Sequence, residues 1–481
     1  MLSRSPLASS SSSARGAALA PRGPEYILRG HSAPISVLAF SRCARYLFSA
    51  DTDGFVAVWD LRTFRPRYFW RAHDAGILGL AELGDQGLLT HGRDNLLHLY
   101  RFPSRLGAST SVNHGAATAV PSPVAPSTGI EHAWSLDVNA MSFCRMSVCP
   151  VGRRAREDKG KERAVEQDDE VDEALIAVPS LTKDDLVDVF HYPSKARTHR
   201  SVGAGAFVGQ KTGTVMATQL CYLPSTTAPP PPRPPVPDQS LPAEADTAPP
   251  TSFLHLLIAY ESGQLALFRF TPTRTFDLVP APSSSSASPA PAQPHPPLHL
   301  PRQGVRVEES EGWELVWVEK GHRDAIMSLA ITTDQRFAYT VGADHHMVAY
   351  RLVDANDAEP ALPRSHTELT ATAGKAAVVV REDGKVLATA GWDGEARIYK
   401  AKTLEPLAVL SHHRTSLQAA AFAPLHPTAP STAFGDAPVD DDEEDEEGGG
   451  TRRAWLATGG QEAKIGLWEV YPPRRAVARA P

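Results

Sequence analysis

The sequence predicts an all-β chain, a seven-bladed β-propeller closed by an N-terminal strand and carrying disordered insertions. Three observations carry this expectation. A polar pattern recurs along the 481 residues. Short apolar strands joined by a tight turn flank each recurrence. When the stretches with too few apolar residues for a core are set aside, about 43 residues remain for each of seven units, the length of a four-stranded blade.

The pattern is a Ser or Thr, an acid four positions on, and an aromatic six positions further. It reads Ser49, Asp53, Trp59; Thr90, Asp94, Tyr100; Ser180, Asp184, Phe190; Thr340, Asp344, Tyr350; Thr389, Asp393, Tyr399; and Thr458, Glu462, Trp468. Around it lie period-2 runs such as FVAVWDL (55–61), which read as strands. A seventh unit, LLIAYESGQLALFRF (256–270), lacks the polar residues but keeps the hairpin, with Gly263 where Gly54 sits in the first. Four units carry an upstream histidine, His31, His73, His322 and His413, followed four residues later by Ile35, Ile77, Ile326 and Leu417. Gly30 and Gly321 precede two of these, and Trp59-Asp60 closes the first unit. This is the signature of the WD40 repeat.

These residues form structural tetrads. The histidine, from the loop before the first strand, bonds the hydroxyl on the second strand. The acid in the turn holds the histidine, and the aromatic of the third strand accepts the other end. Polar groups between strands are thereby satisfied. The same residues resemble a Ser-His-Asp triad, but a triad is one site with assigned roles, and repetition argues for structure.

The strand Glu25–Leu28 has no blade of its own, and the last unit ends after three strands. The first therefore completes the last and removes an exposed edge. Residues 1–22 read as a disordered tail, 23–472 as the propeller and 473–481 as a second tail. The N-terminal tail is rich in Ser and Ala with arginines and no early acid, a composition shared with transit peptides, but it lacks a helical apolar face. Insertions near 103–130, 151–173, 224–251, 272–311 and 426–452 fall in first-to-second or third-to-fourth strand connections, which share one face of the disc. The opposite face, with short loops, is the better candidate for the main partner.

Composition removes several function classes. The net charge is −7, and the run Asp440–Glu447 alone supplies eight acids, so no global basic field exists for nucleic acid. Of 42 prolines, 11 lie in 224–250 and 9 in 272–301, which marks inserted linkers in a globular chain. Four cysteines without a CxxC spacing suit a reducing compartment. No apolar run approaches the ~18 residues of a membrane span. His345-His346 and His412-His413 lack further ligands at metal-binding spacing, and no phosphate loop occurs. No cofactor is therefore expected. The acidic run reads as a solvated loop, with a docking tail for a basic partner such as a histone as the functional alternative. GRRAREDKGKER (152–163) is weakly like a nuclear localisation signal and reads as a mixed-charge linker.

PEYILRGHSAPISVLAF, DTDGFVAVWDL and LLTHGRDNLLHLYRF resemble the opening blades of the fungal ASTRA-associated protein 1 family of WD-repeat proteins, similar in turn to an animal G-protein beta-subunit-like protein. The resemblance continues at VNAMSFC (138–144), QKTGTVMATQL (210–220), LATAGWDGEARIYKAKTLEPLAVL (387–410) and WLATGGQEAKIGLWEVYP (455–472). It covers nearly all the core and almost none of the insertions. Glu462, where an Asp is usual, and His412, before the loop histidine, depart from it. The resemblance implies a nuclear, non-catalytic subunit of the ASTRA complex, linked to chromatin remodelling and to maturation of phosphatidylinositol-3-kinase-like proteins. Implied partners are a kinase-like pseudokinase, Tel–Tti cochaperone proteins and Rvb-type ATPases.

Within that frame Arg93, Asn95 and Trp392, beside the tetrad turns, are the candidate partner-binding residues, since hot spots favour Trp and Arg. The alternative is that Arg93 and Asn95 satisfy the turn and Trp392 packs on a neighbouring blade. A substrate receptor for a cullin–RING ubiquitin ligase is the second reading, resting on WDxR at Trp59–Arg62. An enzyme is the third, and no convergent catalytic site supports it.

Overall fold

The computed structural model describes residues 23–84, 87–102, 129–151, 173–224, 252–271, 312–352, 364–367, 372–427 and 454–471. The two tails and most of each predicted insertion lie outside the described residues, so the expectations for those segments are not addressed by it.

The described residues form seven four-stranded antiparallel sheets arranged as a propeller. After β1 (Tyr26–Arg29), blade 1 is β2 (Ile35–Phe40), β3 (Tyr46–Asp51), β4 (Phe55–Asp60) and β5 (Arg65–Arg71). Blade 2 is β6 (Ile77–Glu82), β7 (Leu88–Gly92), β8 (Leu96–Arg101) and β9 (Glu131–Asp137). Blade 3 is β10 (Ser147–Pro150), β11 (Ala174–Pro179), β12 (Val187–Tyr192) and β13 (Arg197–Val202). Blade 4 is β14 (Val215–Pro224), β15 (Ser252–Tyr260), β16 (Gln264–Phe270) and β17 (Trp313–Lys320). Blade 5 is β18 (Ile326–Ile331), β19 (Phe337–Gly342), β20 (His346–Arg351) and β21 (Arg364–Thr367). Blade 6 is β22 (Lys375–Val380), β23 (Val386–Gly391), β24 (Glu395–Lys400) and β25 (Pro406–Ser411). Blade 7 is β26 (Leu417–Phe422), β27 (Trp455–Gly460) and β28 (Lys464–Glu469), completed by β1.

The first strands surround a central channel lined by residues such as Leu38, Met216, Leu329, Val379 and Ala421. Burial then follows position in the blade. The second strands are sandwiched by both neighbouring blades, so YLFSAD, ALIAVP and WLATGG are buried throughout. That is why they read as continuous apolar runs with a few embedded hydroxyls. The outermost strands are half wetted, as in PLAVLS and WELVWVEK.

Closure is antiparallel pairing of β1 with β28, from Tyr26 opposite Leu467 to Arg29 opposite Lys464. Behind it one core joins the first and last blades, in which Leu28, Ile35, Leu47 and Trp59 meet Ala419, Ala457, Ile465 and Leu467. The alanines let the channel strands approach closely. Gly459 must stay side-chain-free because a Cβ there would stand 2.9 Å from the Ile35 side chain of blade 1.

The five predicted insertions lie between first and second or third and fourth strands of blades 2, 3, 4 and 7. Residues 353–363 between β20 and β21 add one the composition did not reveal.

A chain starting at Gly23 should melt at the temperature of the full chain. One starting at Gly30 loses β1, exposes the β28 edge, and should melt lower and self-associate. Calorimetry with size-exclusion chromatography tests this, and equal melting of the two would contradict the closure.

Candidate functional site

A repeated backbone irregularity builds the short-loop face. In blades 1, 2, 4, 5, 6 and 7 the first strand slips register against the second just after its first residue, as between Ile35 and Val37 or Ile77 and Gly79. The turn after the second strand then donates to the backbone ahead of the first, as in Thr52 N–H to Pro34 C=O, Arg93 to Gly76, Ala343 to Ala325 and Trp392 to Gly374. Such a bulge re-aims side chains. Here it folds the interblade loop onto the turn, so a histidine from one lies beside an acid from the other.

In blade 1 His31 Nδ1 lies 2.7 Å from Asp51 Oδ2, and Nε2 lies 2.7 Å from Ser49 Oγ. Trp59 Nε1–H donates to Ser49 Oγ at 2.8 Å. The bonding network sets the tautomer. His31 Nδ1–H donates to the carboxylate, Ser49 O–H donates to Nε2, and the indole donates at the far end rather than accepting. The acid is Asp51, fully buried, and not Asp53, which is exposed. Asp51 Oδ1 also accepts from Asp53 and Phe55 N–H, so it both holds the histidine and ties the turn.

Blade 2 uses His73, Thr90 and Asp94 as expected, at 2.7–3.0 Å. Tyr100 departs, donating to Ala72 C=O at 2.6 Å. Blade 5 joins His322 to Asp344 at 3.0 Å and to Thr340 at 2.8 Å. Burial alone would raise the Asp344 carboxyl, but the bond from His322 and those from the Arg323 and His346 amides bring it down to about 2. Gly30 and Gly321 are needed because a Cβ on either would strike the third-strand aromatic, Trp59 or Tyr350.

Three predicted sets differ. In blade 7 His413 meets Thr458 at 3.1 Å and Trp468 donates to Thr458 at 2.9 Å, but Glu462 stays 4.0 Å from His413 Nδ1. Its longer side chain serves the Arg414 amide and Lys464 instead. In blade 6 Asp393 is paired by Arg397 at 2.7 Å, and Thr389 Oγ1 has no protein partner. Tyr399 is buried. In blade 3 Asp184 is exposed, and the buried acid is Asp188, held by Arg197 and the Ser201 amide. Asn139 occupies the loop where other blades carry histidine, donating to Ser180 C=O and Asp184. Phe190 is core.

Blade 3 also lacks the slip, and β10 is only four residues. The freed chain, loop 138–146, runs over the short-loop face. It is clamped by Asn95, whose C=O accepts from Val138 N–H and whose Oδ1 accepts from Ala140 N–H at 3.0 Å. Asn95, at φ 66, is thus a turn and clamp residue. The clamped loop presents Met141, 74% exposed, and Phe143, 57% exposed. Arg93 is exposed and stacks its guanidinium 4.9 Å from the Phe143 ring centre. Leu181 and Val208, 52% and 88% exposed, extend the apolar surface over blades 3 and 4 on the same face. Trp392 is half-buried against Gly374 of its own blade. It rests on the backbone just ahead of the first strand of its own blade, not on a neighbouring blade. Of the three predicted partner residues, only Arg93 faces outward unspent. VNAMSFC already hinted at the apolar loop, since Met and Phe stand in a segment with no strand pattern.

Below Phe143 the channel mouth opens into a cavity of about 700 Å³ between Pro34, Gly76, Met327, Gln418 and Gln461. Arg145 crosses it, with Nη2–H donating to Ser36 C=O of blade 1 and Gln418 C=O of blade 7. Nothing in the sequence marked this residue.

Other motifs are internal. Asp60 of WDxR pairs with Arg45 and accepts the Arg62 amide, on the face that carries the insertions. His346 bonds Thr367, and His412 packs edge-on to His413. His73, Asp94 and His98 approach metal-binding distances, but His73 and Asp94 are committed to the tetrad.

The model of the WD domain, G-beta repeat, matches residues 22–60. A solved structure of the Cps50 (Swd1) β-propeller domain from Myceliophteria thermophila superposes with a TM-score of 0.54 at 13% identity, over 94% of this chain and all of that one. The chain is a seven-bladed β-propeller that carries a WD40 repeat at residues 22–60. It is similar to ASTRA-associated protein 1 of Pyricularia oryzae, 28% identical over 94% of this chain and 98% of that protein. The likeness to the Aspergillus niger protein of that name is 27% over the same shares. For Schizosaccharomyces pombe it is 25% over 83% and 93%. The propeller and its relatives support a WD-repeat scaffold subunit.

Two outcomes test the tetrads. Asp51→Ala should cost about 1–3 kcal/mol by leaving His31 unpaired, whereas Asp53→Ala should change stability by under about 0.5 kcal/mol. Chemical denaturation measures both, and a larger loss in Asp53→Ala would reverse the assignment. Acidification should also destabilise the propeller. Burial lowers His91 from 6.5 to about 3, and His98 and His413 to about 4. The unfolded chain therefore binds more protons below pH 6.5. Stability is fully present above 6.5 and falls toward pH 4, with His91 contributing about 1.4 kcal/mol of loss per pH unit. Asp344 adds its loss only below 3.8. The melting temperature should fall from pH 7.5 to 5, less steeply in His91→Leu, and a flat profile would count against this account.

Proposed function

We propose that this chain is a non-catalytic scaffold subunit of the ASTRA complex, acting in the nucleus in chromatin remodelling and in maturation of phosphatidylinositol-3-kinase-like proteins. The observation that carries it is the apolar surface of Met141, Phe143, Leu181 and Val208 with Arg93, gathered on the short-loop face of the propeller. Exposed apolar groups rimmed by polar backbone favour a protein partner. Similarity along nearly the whole chain to proteins named for association with ASTRA supplies the identity of the assembly. On this reading the pseudokinase, the Tel–Tti proteins and the Rvb-type ATPases are the partners. The polar residues of the tetrads are spent on each other, which leaves the rigid disc to present loops. The ubiquitin-ligase alternative has less support, because Asp60 serves its own turn.

Affinity purification with mass spectrometry on the tagged native protein tests this, beside an Arg93→Ala/Phe143→Ala double variant. Recovery of the kinase-like pseudokinase, Tel–Tti proteins and Rvb ATPases is expected, with at least about tenfold loss in a double variant that melts normally. Recovery of a cullin and its adaptor instead would overturn the reading, and nuclear exclusion of the tagged protein would overturn its compartment.

A further inference from the structure

The central channel contains a cation whose charge is unanswered. Arg145 enters from blade 3 just ahead of β10, and its backbone C=O accepts from Thr218 of blade 4. Its Nη2 spans to the carbonyls of Ser36 and Gln418 at 3.2 and 3.3 Å. A guanidinium has five N–H donors in a planar fork. Among the described residues the remaining nitrogens, Nε and Nη1, have no protein acceptor. Among the described residues no carboxylate pairs with it, and the neighbouring Cys144 thiol is held neutral by burial. Arg145 is half-buried, and drawing a charge part-way out of water without a counter-charge is costly. Three other buried or half-buried arginines of this propeller do have acids: Arg397 has Asp393, Arg381 has Asp383 and Arg197 has Asp188.

The cavity above Arg145 has the corresponding chemistry. Among the described residues its only charged lining groups are Arg145 and Arg93, and the rest of its wall is apolar, hydroxyl (Ser36, Thr52) or amide (Gln418, Gln461). Arg93 stands on the rim, aligned by Phe143. The two cations therefore face one opening that holds no acid.

We propose that the channel mouth receives an acidic side chain, a glutamate or aspartate carried on a loop of the partner protein, with Arg145 as its receptor and Arg93 as its guide. A polypeptide fits better than a free small anion because Phe143 lines the cavity and Met141 stands exposed on the same loop, and an inorganic anion would leave both uncovered. Apolar residues on either side of the acid would cover them. A carboxylate that accepts from one of the free guanidinium N–H groups makes a charge-assisted hydrogen bond, roughly twice as strong as a neutral one. This rests on the scaffold reading above and names the chemistry of the contact.

The full chain is titrated by fluorescence anisotropy with two labelled peptides of leucine and phenylalanine, alike except for a central glutamate or glutamine. The glutamate peptide should bind about tenfold tighter, the size of one charge-assisted pair. Arg145→Gln should erase the difference. Arg62→Gln, an exposed arginine on the opposite face, should keep it. If Arg145→Gln melts early, the exposed Arg93→Gln replaces it, with a preference reduced at least about threefold. Equal or absent binding of the two peptides, or a preference that survives loss of the arginine, overturns the proposal. Capture of ASTRA subunits that is lost in Arg93→Ala/Phe143→Ala yet intact in Arg145→Gln overturns it while leaving the scaffold reading in place. A glutamate preference without any ASTRA capture does the reverse.

Discussion

Everything in this molecule depends on closing the ring. Seven twisted sheets bury their faces only against each other, so a gap anywhere exposes two blade faces at once. The gap is closed by four residues, Tyr26–Arg29, paired to β28. The pairing brings the ends of the described chain into one sheet and makes the first and last blades share a core around Trp59 and Leu467. With the ring closed, strand edges are covered and the first strands are fixed around the channel. The channel, the short-loop face and the spacing between Arg93 and Arg145 all inherit that geometry.

Within each blade the second constraint is polar. The second strands are buried on both sides, yet they carry Ser49, Thr90, Thr340 and Thr458. The hydroxyls are tolerated because a histidine or an indole meets them, and the histidine reaches them because the first strand slips by one residue. Satisfying buried groups by a network makes the loop geometry rigid. Blades that lost the histidine found substitutes, Arg397 for Asp393 and Asn139 for the blade 3 turn. Blade 4 dispenses with the pattern and relies on an apolar hairpin. The tetrad therefore works as a brace, and the surface it braces is available for binding.

Blade 3 shows how regularity and function trade. Where the repeat lapses, the chain between β9 and β10 is free to rise over the face, and it carries the exposed Met141 and Phe143 and the channel arginine. Its clamp, Asn95, belongs to the neighbouring regular blade. An irregular loop held by a rigid frame is a common way to place binding groups.

The repeat count, the closing strand and the position of most insertions were legible in the sequence, because spacing and alternation survive in one dimension. Four loop histidines and their hydroxyl partners were legible for the same reason. The choice between Asp51 and Asp53 was not, since both sit in one turn and only the bulge decides which faces His31. Trp392 read as a partner residue or as packing on a neighbouring blade, and its seat on Gly374 of its own blade, eighteen residues away, was not legible. Glu462 matched the pattern in letters, but one extra methylene carried its carboxylate past the histidine. Arg145 had no local signal at all. Its meaning lies in Ser36 and Gln418, 109 and 273 residues distant, which only the closed ring brings to it. The sequence by itself determined the blade and how many times it repeats, because hydrogen bonding and burial within a blade are short-range. Only the tertiary structure decided what stands in the channel and on the face, because those surfaces are assembled from different blades.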